Sequence, residues 1–202
     1  MASVRLIVFA KAPILGGVKN RIAASVGTHR ALEIYQSLLG RVFASLECIT
    51  HVEVRITPDD SSKDFQIRHG QSWNFKPQGG GDLGTRLALA LAEAFAAKME
   101  RVVIIGSDCP EVREEDIHLA WSALEISDVV LGPAVDGGYW LIGLRKPCPN
   151  LFEQIDWSSD KVLQQTLDRA EANDLSVHLL RELSDIDTIE DWQRYLDRKQ
   201  TG

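Results

Sequence analysis

The stretch Arg101-Val-Val-Ile-Ile-Gly-Ser-Asp-Cys-Pro110 runs a continuous apolar segment straight into a carboxylate, Asp108. An acid just beyond a buried strand can hold a hard divalent cation. Mg²⁺ and Mn²⁺ take oxygen ligands, commonly one or two carboxylates, with phosphates and waters completing the shell. Asp108 is therefore the candidate metal ligand, with Mg²⁺ or Mn²⁺ the expected ion; the alternative is that it caps the turn at Pro110, a common use of Asp. A second turn carboxylate, Asp136, lies in Ala134-Val-Asp-Gly-Gly138 and leads into a segment opening with Tyr139 and Trp140. Asp136, Gly137 and Gly138 could hold an acceptor against an aromatic wall, or the same residues could make an ordinary hairpin and core.

Two further stretches have the composition of anion cradles. Phe9 to Ala23 places Pro13, Gly16 and Gly17 in a loop and follows them with Lys19 and Arg21. Glycines let backbone N–H groups approach an anion, a helix N-terminus adds partial positive charge, and Lys and Arg neutralise phosphate oxygens. The order matches neither a Walker A loop nor Gly-x-Gly-x-x-Gly, so a plain strand-to-helix turn with solvated basic residues stays open. Gln78 to Leu87 puts three glycines, Gly79, Gly80 and Gly81, before a segment carrying Asp82 and Arg86. Consecutive glycines cost conformational entropy, so they point to close backbone approach or positive φ, as a base or phosphate would require. The alternatives are a flexible connector and an Asp82 that serves only as an N-cap. Asp185 and Asp187 form a D-x-D, but they precede a capped helix whose dipole favours acids, which leaves them a minor metal or substrate role.

The elements that must position these residues alternate along the chain. "VRLIVFA", "HVEVRIT", "RVVIIG", "SDVVLGPA", "GYWLIGL" and "LSVHLL" read as strands. "THRALEIYQSLLGRVFASLE" repeats apolar residues at helical spacing, and "DLGTRLALALAEAFAAKM" and "REEDIHLAWSALE" also read as helices. "SSDKVLQQTLDRAEAND" reads as a helix capped by Ser158 or Ser159, and "TIEDWQRYLDRK" as one with a capping-box spacing from Thr188 to Asp191. The sequence predicts a single α/β domain over residues 1–202, a three-layer α/β/α sandwich with a mostly parallel, mixed sheet. The Asp-Gly-Gly turn redirects one strand pair, and a ligand is expected where the strands present their carboxyl ends.

The net charge of −7 gives no electrostatic reason to bind nucleic acid, since such binders carry a basic face. The first apolar run, Leu6 to Ala10, is too short for a signal-peptide core or a membrane span, so a cytoplasmic protein with no membrane partner is expected. Cys48, Cys109 and Cys148 show no metal or disulfide spacing and read as free thiols, Cys109 as small apolar packing rather than a nucleophile. His29, His51, His69, His118 and His178 have no partner spacing that suggests catalysis.

In order through nearly the whole chain, "AKAPILGGVKNRIA", "GGGDLGTRL", "GSDCP", "GPAVDGGYWLIGL" and "DIDTIEDW" resemble the DUF2064 family of bacterial glycosyltransferase-like proteins. The chain is more distantly similar to molybdenum-cofactor and phospholactate guanylyltransferases, which share the nucleotide-diphospho-sugar transferase fold of glycosyltransferase A type. The resemblance implies that fold, a divalent metal at Asp108, and a basic loop of Lys11, Lys19 and Arg21 on donor phosphates. Two features depart from the pattern. Asn20 stands where relatives usually carry Thr, and Gly106 leaves a single acid where glycosyltransferases of this type usually carry a D-x-D.

The expected activity is metal-dependent transfer from a nucleotide-activated donor, most readily a nucleotide sugar, to a small-molecule acceptor. Asp108 would act with the metal on the leaving group, and Asp136 would orient or deprotonate the acceptor. Lys11, Pro13, Gly16, Lys19, Arg21, Gly80, Gly81, Asp82, Arg86, Gly137, Gly138 and Tyr139 are the expected binding residues. The alternatives are nucleotidyl transfer from a triphosphate to a phosphorylated acceptor, and nucleotide binding without catalysis. The sequence leaves the oligomeric state open.

Overall fold

The computed structural model describes residues 3–61, 65 and 73–201. His69 lies outside them. Seven strands form one sheet: β1 (Val4–Lys11), β2 (Val52–Thr57), β3 (Asn74–Pro77), β4 (Arg101–Ile105), β5 (Val129–Pro133), β6 (Tyr139–Leu144) and β7 (Val177–Leu179). Six helices are described: α1 (Asn20–Val26), α2 (Thr28–Ser45), α3 (Leu83–Ala96), α4 (Glu114–Ala123), α5 (Val162–Ala172) and α6 (Ile189–Thr201).

The strand order is β3-β2-β1-β4-β6-β5-β7. β1 pairs parallel with β2 on one side and β4 on the other, so successive crossovers leave β1 in opposite directions. Such a switch opens a crevice beyond the carboxyl ends of the two central strands. β6 runs antiparallel between β4 and β5, as the Asp-Gly-Gly turn predicted. β7 then adds parallel to β5.

The central strands are apolar on both faces because helices cover both. Along β1, Leu6, Val8 and Ala10 join a core with Tyr35, Leu39 and Val42 of α2 and Ile117, Ala120 and Trp121 of α4. Ile7 and Phe9 point the other way, into a core with Leu87, Leu91 and Ala94 of α3 and Ala170 of α5. This is the period-two alternation of a strand between two helical layers. A third cluster packs Ile22 of α1 and Trp192 and Tyr195 of α6 onto the outer face of α2, through Ala31, Ile34 and Leu38.

Some elements differ from the sequence reading. β2 alternates apolar and charged residues in sequence, yet it is buried along Val52–Ile56, with Glu53 and Arg55 only 1% exposed each. Those charges sit inside because Arg55 bonds Glu53 Oε1 at 2.8 Å, and Glu53 also meets Lys76 at 3.0 Å on the neighbouring β3. α5 begins at Val162, later than a Ser158 or Ser159 cap requires. Ser159 instead donates to the Asp156 carbonyl and accepts from the Lys161 N–H, closing the turn that precedes the helix. Trp140 is core rather than wall: it is buried, lies over Gly132, and donates from Nε1 to the Arg181 carbonyl. All three cysteines are free, and Cys109 is buried. No helix of the described residues is long and apolar enough to cross a membrane.

Candidate active-site cleft

The crevice at the switch point is lined from both sides. Lys11 closes β1, Thr57 closes β2, and Gly106, Ser107 and Asp108 follow β4. Tyr35 of α2 ties these ends together. Its hydroxyl accepts from the Lys11 N–H and donates to the Lys11 carbonyl, both at 2.9 Å, and lies 3.3 Å from Ser107 Oγ. Burial pushes the Tyr35 phenol up to about 12, so it stays a neutral donor. Helical spacing marked Tyr35 only as apolar; its role as a pin between β1 and the Asp108 loop was not visible.

One lobe of the cleft, about 460 Å³, is lined by the basic residues Lys11, Lys19, Arg21 and Arg86 with Asp108 and Asp187. Gln78 organises its wall. Buried Gln78 donates from Nε2 to the carbonyls of Ala10 and Arg55, and its Oε1 accepts from Arg86. Arg86 also donates to the Gly81 carbonyl at 3.0 Å, so the glycine loop and its helix present one positioned guanidinium.

Lys19 sits at the N-terminus of α1 in left-handed conformation, φ 48°. Its Nζ lies 2.9 Å from Asp108 and 3.1 Å from Asp187, with the side chain 6% exposed. Burial opposes the charge, but the two carboxylates outweigh it and raise the ammonium above the usual lysine range. Arg21 reaches Asp187 at 3.7 Å. Asp187 therefore belongs to the cleft, whereas Asp185 lines neither lobe, and the helix-terminus role is filled by Asp191, which accepts from the Thr188 N–H and hydroxyl. The Ile186 N–H donates to the Asp108 carbonyl at 3.0 Å, which docks the D-x-D against the strand-end loop. Half-buried Asp185 is pushed up to about 7, by burial first and then by the charges of Asp108, Asp136 and Asp187, with Lys19 opposing.

The second lobe, about 540 Å³, shares Lys11, Arg21, Leu83 and Asp108 with the first and continues to Asp136, Gly138, Tyr139, Trp157, Ser158, Ser159 and Asp160. Asp108 and Asp136 thus border one cavity. Asp136 Oδ1 accepts from the Gly138 N–H at 2.9 Å, which orients the carboxylate within its own turn. Pro13, Gly16, Gly80, Gly81, Asp82 and Gly137 line neither lobe. Asp82 is the N-cap of α3, held below the usual carboxylate range by the hydroxyl and N–H of Thr85. Gly16 and Gly81 supply positive φ in the two loops, and Gly137 lets the backbone of Asp160 lie against it.

The two lobes also bear on the expected metal. Asp108 and Asp187 offer hard oxygen donors from side chains 43% and 42% exposed. Among the described residues no group of three or more His, Cys, Asp and Glu side chains is placed to hold an ion. Two carboxylates fit Mg²⁺ or Mn²⁺, which leave the remaining positions to phosphates and water, and do not make a closed protein cage.

A family model described as "Uncharacterized protein conserved in bacteria (DUF2064)" matches residues 43–159, more than half of the chain. The chain belongs to the DUF2064 family. A structure from Desulfovibrio desulfuricans G20, provisionally named a nucleotide-diphospho-sugar transferase, is 33% identical, superposes with a TM-score of 0.89, and matches over 95% of this chain and 85% of its own. Across wider distances this DUF2064 chain keeps the fold. A CMP:2-keto-3-deoxy-manno-octonic acid synthetase complexed with CTP matches over 99% of each chain at 10% identity and a TM-score of 0.61. Rv0371C of Mycobacterium tuberculosis H37Rv, in a complex with manganese, matches over 97% of this chain and 99% of its own at 12% identity and a TM-score of 0.56. No curated protein matches this DUF2064 chain. The expected nucleotide-diphospho-sugar transferase-like architecture is the one observed, with a mostly parallel mixed sheet that has one strand, β3, more than the sequence showed.

Proposed function

We propose that this protein is a transferase using a nucleotide-activated donor, with glycosyl transfer from a nucleotide sugar as its reaction. One observation carries the reading: a single cleft joins a lobe lined by four basic side chains to a lobe containing Asp136, with Asp108 at their border. The basic lobe suits a diphosphate, since Lys11, Arg21 and Arg86 can neutralise phosphate oxygens where the helix α1 N-terminus and strand ends converge. The 33% identical relative bears a nucleotide-diphospho-sugar transferase name, and a more distant structure of the same fold holds CTP.

In the proposed reaction an acceptor hydroxyl oxygen bonds to the anomeric carbon of the donor as the bond from that carbon to the phosphate oxygen breaks. The electron pair leaves on the nucleoside diphosphate, and the hydroxyl proton passes to Asp136. Lys11, Arg21 and Arg86 hold the departing diphosphate and stabilise its developing charge. Asp108 and Asp187 would hold Mg²⁺ or Mn²⁺, which when bound supplies further Lewis-acid stabilisation of that leaving group. A distant fold neighbour in complex with manganese supports that choice of ion. Lys19, between the two acids, keeps them apart and oriented in the free protein.

Nucleotidyl transfer with release of pyrophosphate is the second reading, favoured by the synthetase of the same fold that binds CTP. A thermal-shift panel of nucleotide sugars and matching triphosphates, with and without Mn²⁺, followed by assay of nucleoside diphosphate and pyrophosphate, separates the two. The glycosyl reading expects a metal-dependent shift and nucleoside diphosphate release from one sugar donor. Pyrophosphate release with a triphosphate alone replaces it by the second reading, and binding without any turnover replaces both by a binding module.

A further inference from the structure

The second lobe is chemically unlike the first. The residues that line it alone are Asp136, Gly138, Tyr139, Trp157, Ser158, Ser159, Asp160 and Val162, which bring two carboxylates, two serines and two aromatic side chains and no cation. The cations that border it, Lys11 and Arg21, stand on the shared edge with the donor lobe, where a diphosphate claims them. A phosphorylated molecule entering the second lobe would set its charge against Asp136 and Asp160, both exposed but within contact distance of a bound molecule in the partly enclosed lobe. A neutral molecule with several hydroxyls would instead find two carboxylates and the Ser158 hydroxyl to bond, the Ser159 hydroxyl being engaged in its own turn, and an indole against which to bury an apolar surface.

The segment that supplies Trp157, Ser158, Ser159 and Asp160 is built into place rather than draped over the cleft. Trp157 lies against Gly84 in the first turn of α3, so closely that a Cβ added to Gly84 would meet the indole at 2.8 Å. The Asp160 backbone packs on Gly137, where a Cβ would overlap it. Asp156 and Gln165 exchange two hydrogen bonds: the Asp156 N–H donates to Oε1 at 2.8 Å, and Gln165 Nε2 donates to Asp156 Oδ2 at 2.9 Å. Ser158 completes the segment with φ 68°, a left-handed backbone uncommon for a residue other than glycine. Three separate anchors thus hold the tryptophan and the aspartate at the rim of the lobe.

Building on the transferase reading above, we propose that the acceptor is an uncharged, hydroxyl-rich molecule, a sugar or polyol. Trp157 offers its stacking face, and Asp136 and Asp160 discriminate against phosphorylated acceptors. Asp160 and Trp157 are specificity determinants for the acceptor, whereas Asp136 receives its proton.

The test uses the whole chain with the sugar nucleotide that gives the largest thermal shift. Nucleoside diphosphate release is followed with neutral probes (glucose, mannose, glycerol, inositol) and with their phosphate esters (glucose 6-phosphate, mannose 6-phosphate, glycerol 3-phosphate, inositol 1-phosphate). Stimulation by at least one neutral probe, about tenfold or more above its own ester in kcat/KM, is the expected result. Asp160→Lys should narrow or reverse that ratio by about tenfold, mainly through KM. Trp157→Phe should keep a flat ring at the site and hold KM within a few-fold, whereas Trp157→Leu raises it. Esters that match or exceed the neutral probes overturn the inference, as does stimulation by neither class, or a ratio unmoved in Asp160→Lys. The donor shift keeps the two levels apart: a protein that binds the sugar nucleotide but prefers esters loses only this inference, and one that binds no nucleotide loses the transferase reading itself.

Discussion

Lys19 shows how much one side chain can settle at the residue scale. Its ammonium lies within 3.1 Å of both Asp108 and Asp187, so Lys19→Met leaves two neighbouring carboxylates with only Arg21, 3.7 Å from Asp187, to offset them. Both acids are more than 40% exposed, and solvent screens part of the loss, so the expected destabilisation is about 1–3 kcal/mol, read as a fall of several degrees in Tm. Asp108→Ala acts differently. It should lower turnover by at least ~10²-fold while the circular dichroism spectrum stays that of the wild type and Tm falls no further than in Lys19→Met. Turnover near the wild-type level removes Asp108 from the chemistry. Tyr35→Phe deletes only the hydroxyl that bridges the Lys11 backbone, costing about 1 kcal/mol in a urea melt and loosening the donor lobe enough to raise the donor KM. Asp108, Lys11, Lys19 and Arg21 were legible as candidates because an acid just beyond a buried strand and bases around a glycine-containing loop suit a metal and a phosphate, although turn capping and solvated surface positions stood beside that reading. Asp187 takes only a minor role in that reading, because an acid before a helix has an ordinary explanation, although the Thr188-to-Asp191 capping box read from the sequence is the contact that fills that place in the fold.

Glycines that both read as turn residues in the sequence behave differently once the elements around them are packed. Gly137→Ala drives a Cβ into the Asp160 backbone at φ 87°, so it should destabilise the fold by about 2–4 kcal/mol and displace the Trp157 segment. Gly80→Ala has nothing within 4 Å of the added methyl and should be neutral or stabilising by up to about 1 kcal/mol. Equal losses in the two variants would refute that contrast. The short strand β3 escaped the sequence reading for a related reason. Asn74-Phe-Lys-Pro77 has no alternation and ends in proline, and it becomes a strand because it pairs with β2 and lends Lys76 to buried Glu53. β4 needed no such help, since four consecutive strand-forming residues, Val102 to Ile105, buried on both faces declare themselves. The hairpin of β5 and β6 was equally legible from Asp-Gly-Gly, whereas the start of α5 was not, because its serines serve the preceding turn.

Across the whole molecule, stability and ligand binding depend on joints between distant segments. Asp128, buried at the start of β5, accepts from the N–H and hydroxyl of Ser176 and pairs with Arg145 and Lys146. Burial pushes this carboxyl up, but those donors outweigh it and hold it well below the usual carboxylate range. Its folded pKa lies below its unfolded one, so its contribution is present above about pH 4 and fades as pH falls from there toward the folded value. Asp128→Asn should cost about 1.5–3 kcal/mol at pH 7 and flatten the acid limb of the stability curve below pH 4. An unchanged acid limb would count against the assignment. Saturating nucleotide with Mn²⁺, at about a hundred times its dissociation constant, should add roughly 2.7 kcal/mol, and chelation should remove most of it. Little of this was visible in the residues alone, since the sequence shows which segments form strands but not which edges meet. The strand order has one more outcome, which concerns synthesis. While the chain is being made, β4 keeps an open edge until Tyr139–Leu144 emerges to pair with it, and Asp187 follows only after β7. A product cut short before that point carries the basic loop and Asp108 but no finished cleft, and it leaves an unpaired strand edge that invites aggregation or capture by chaperones.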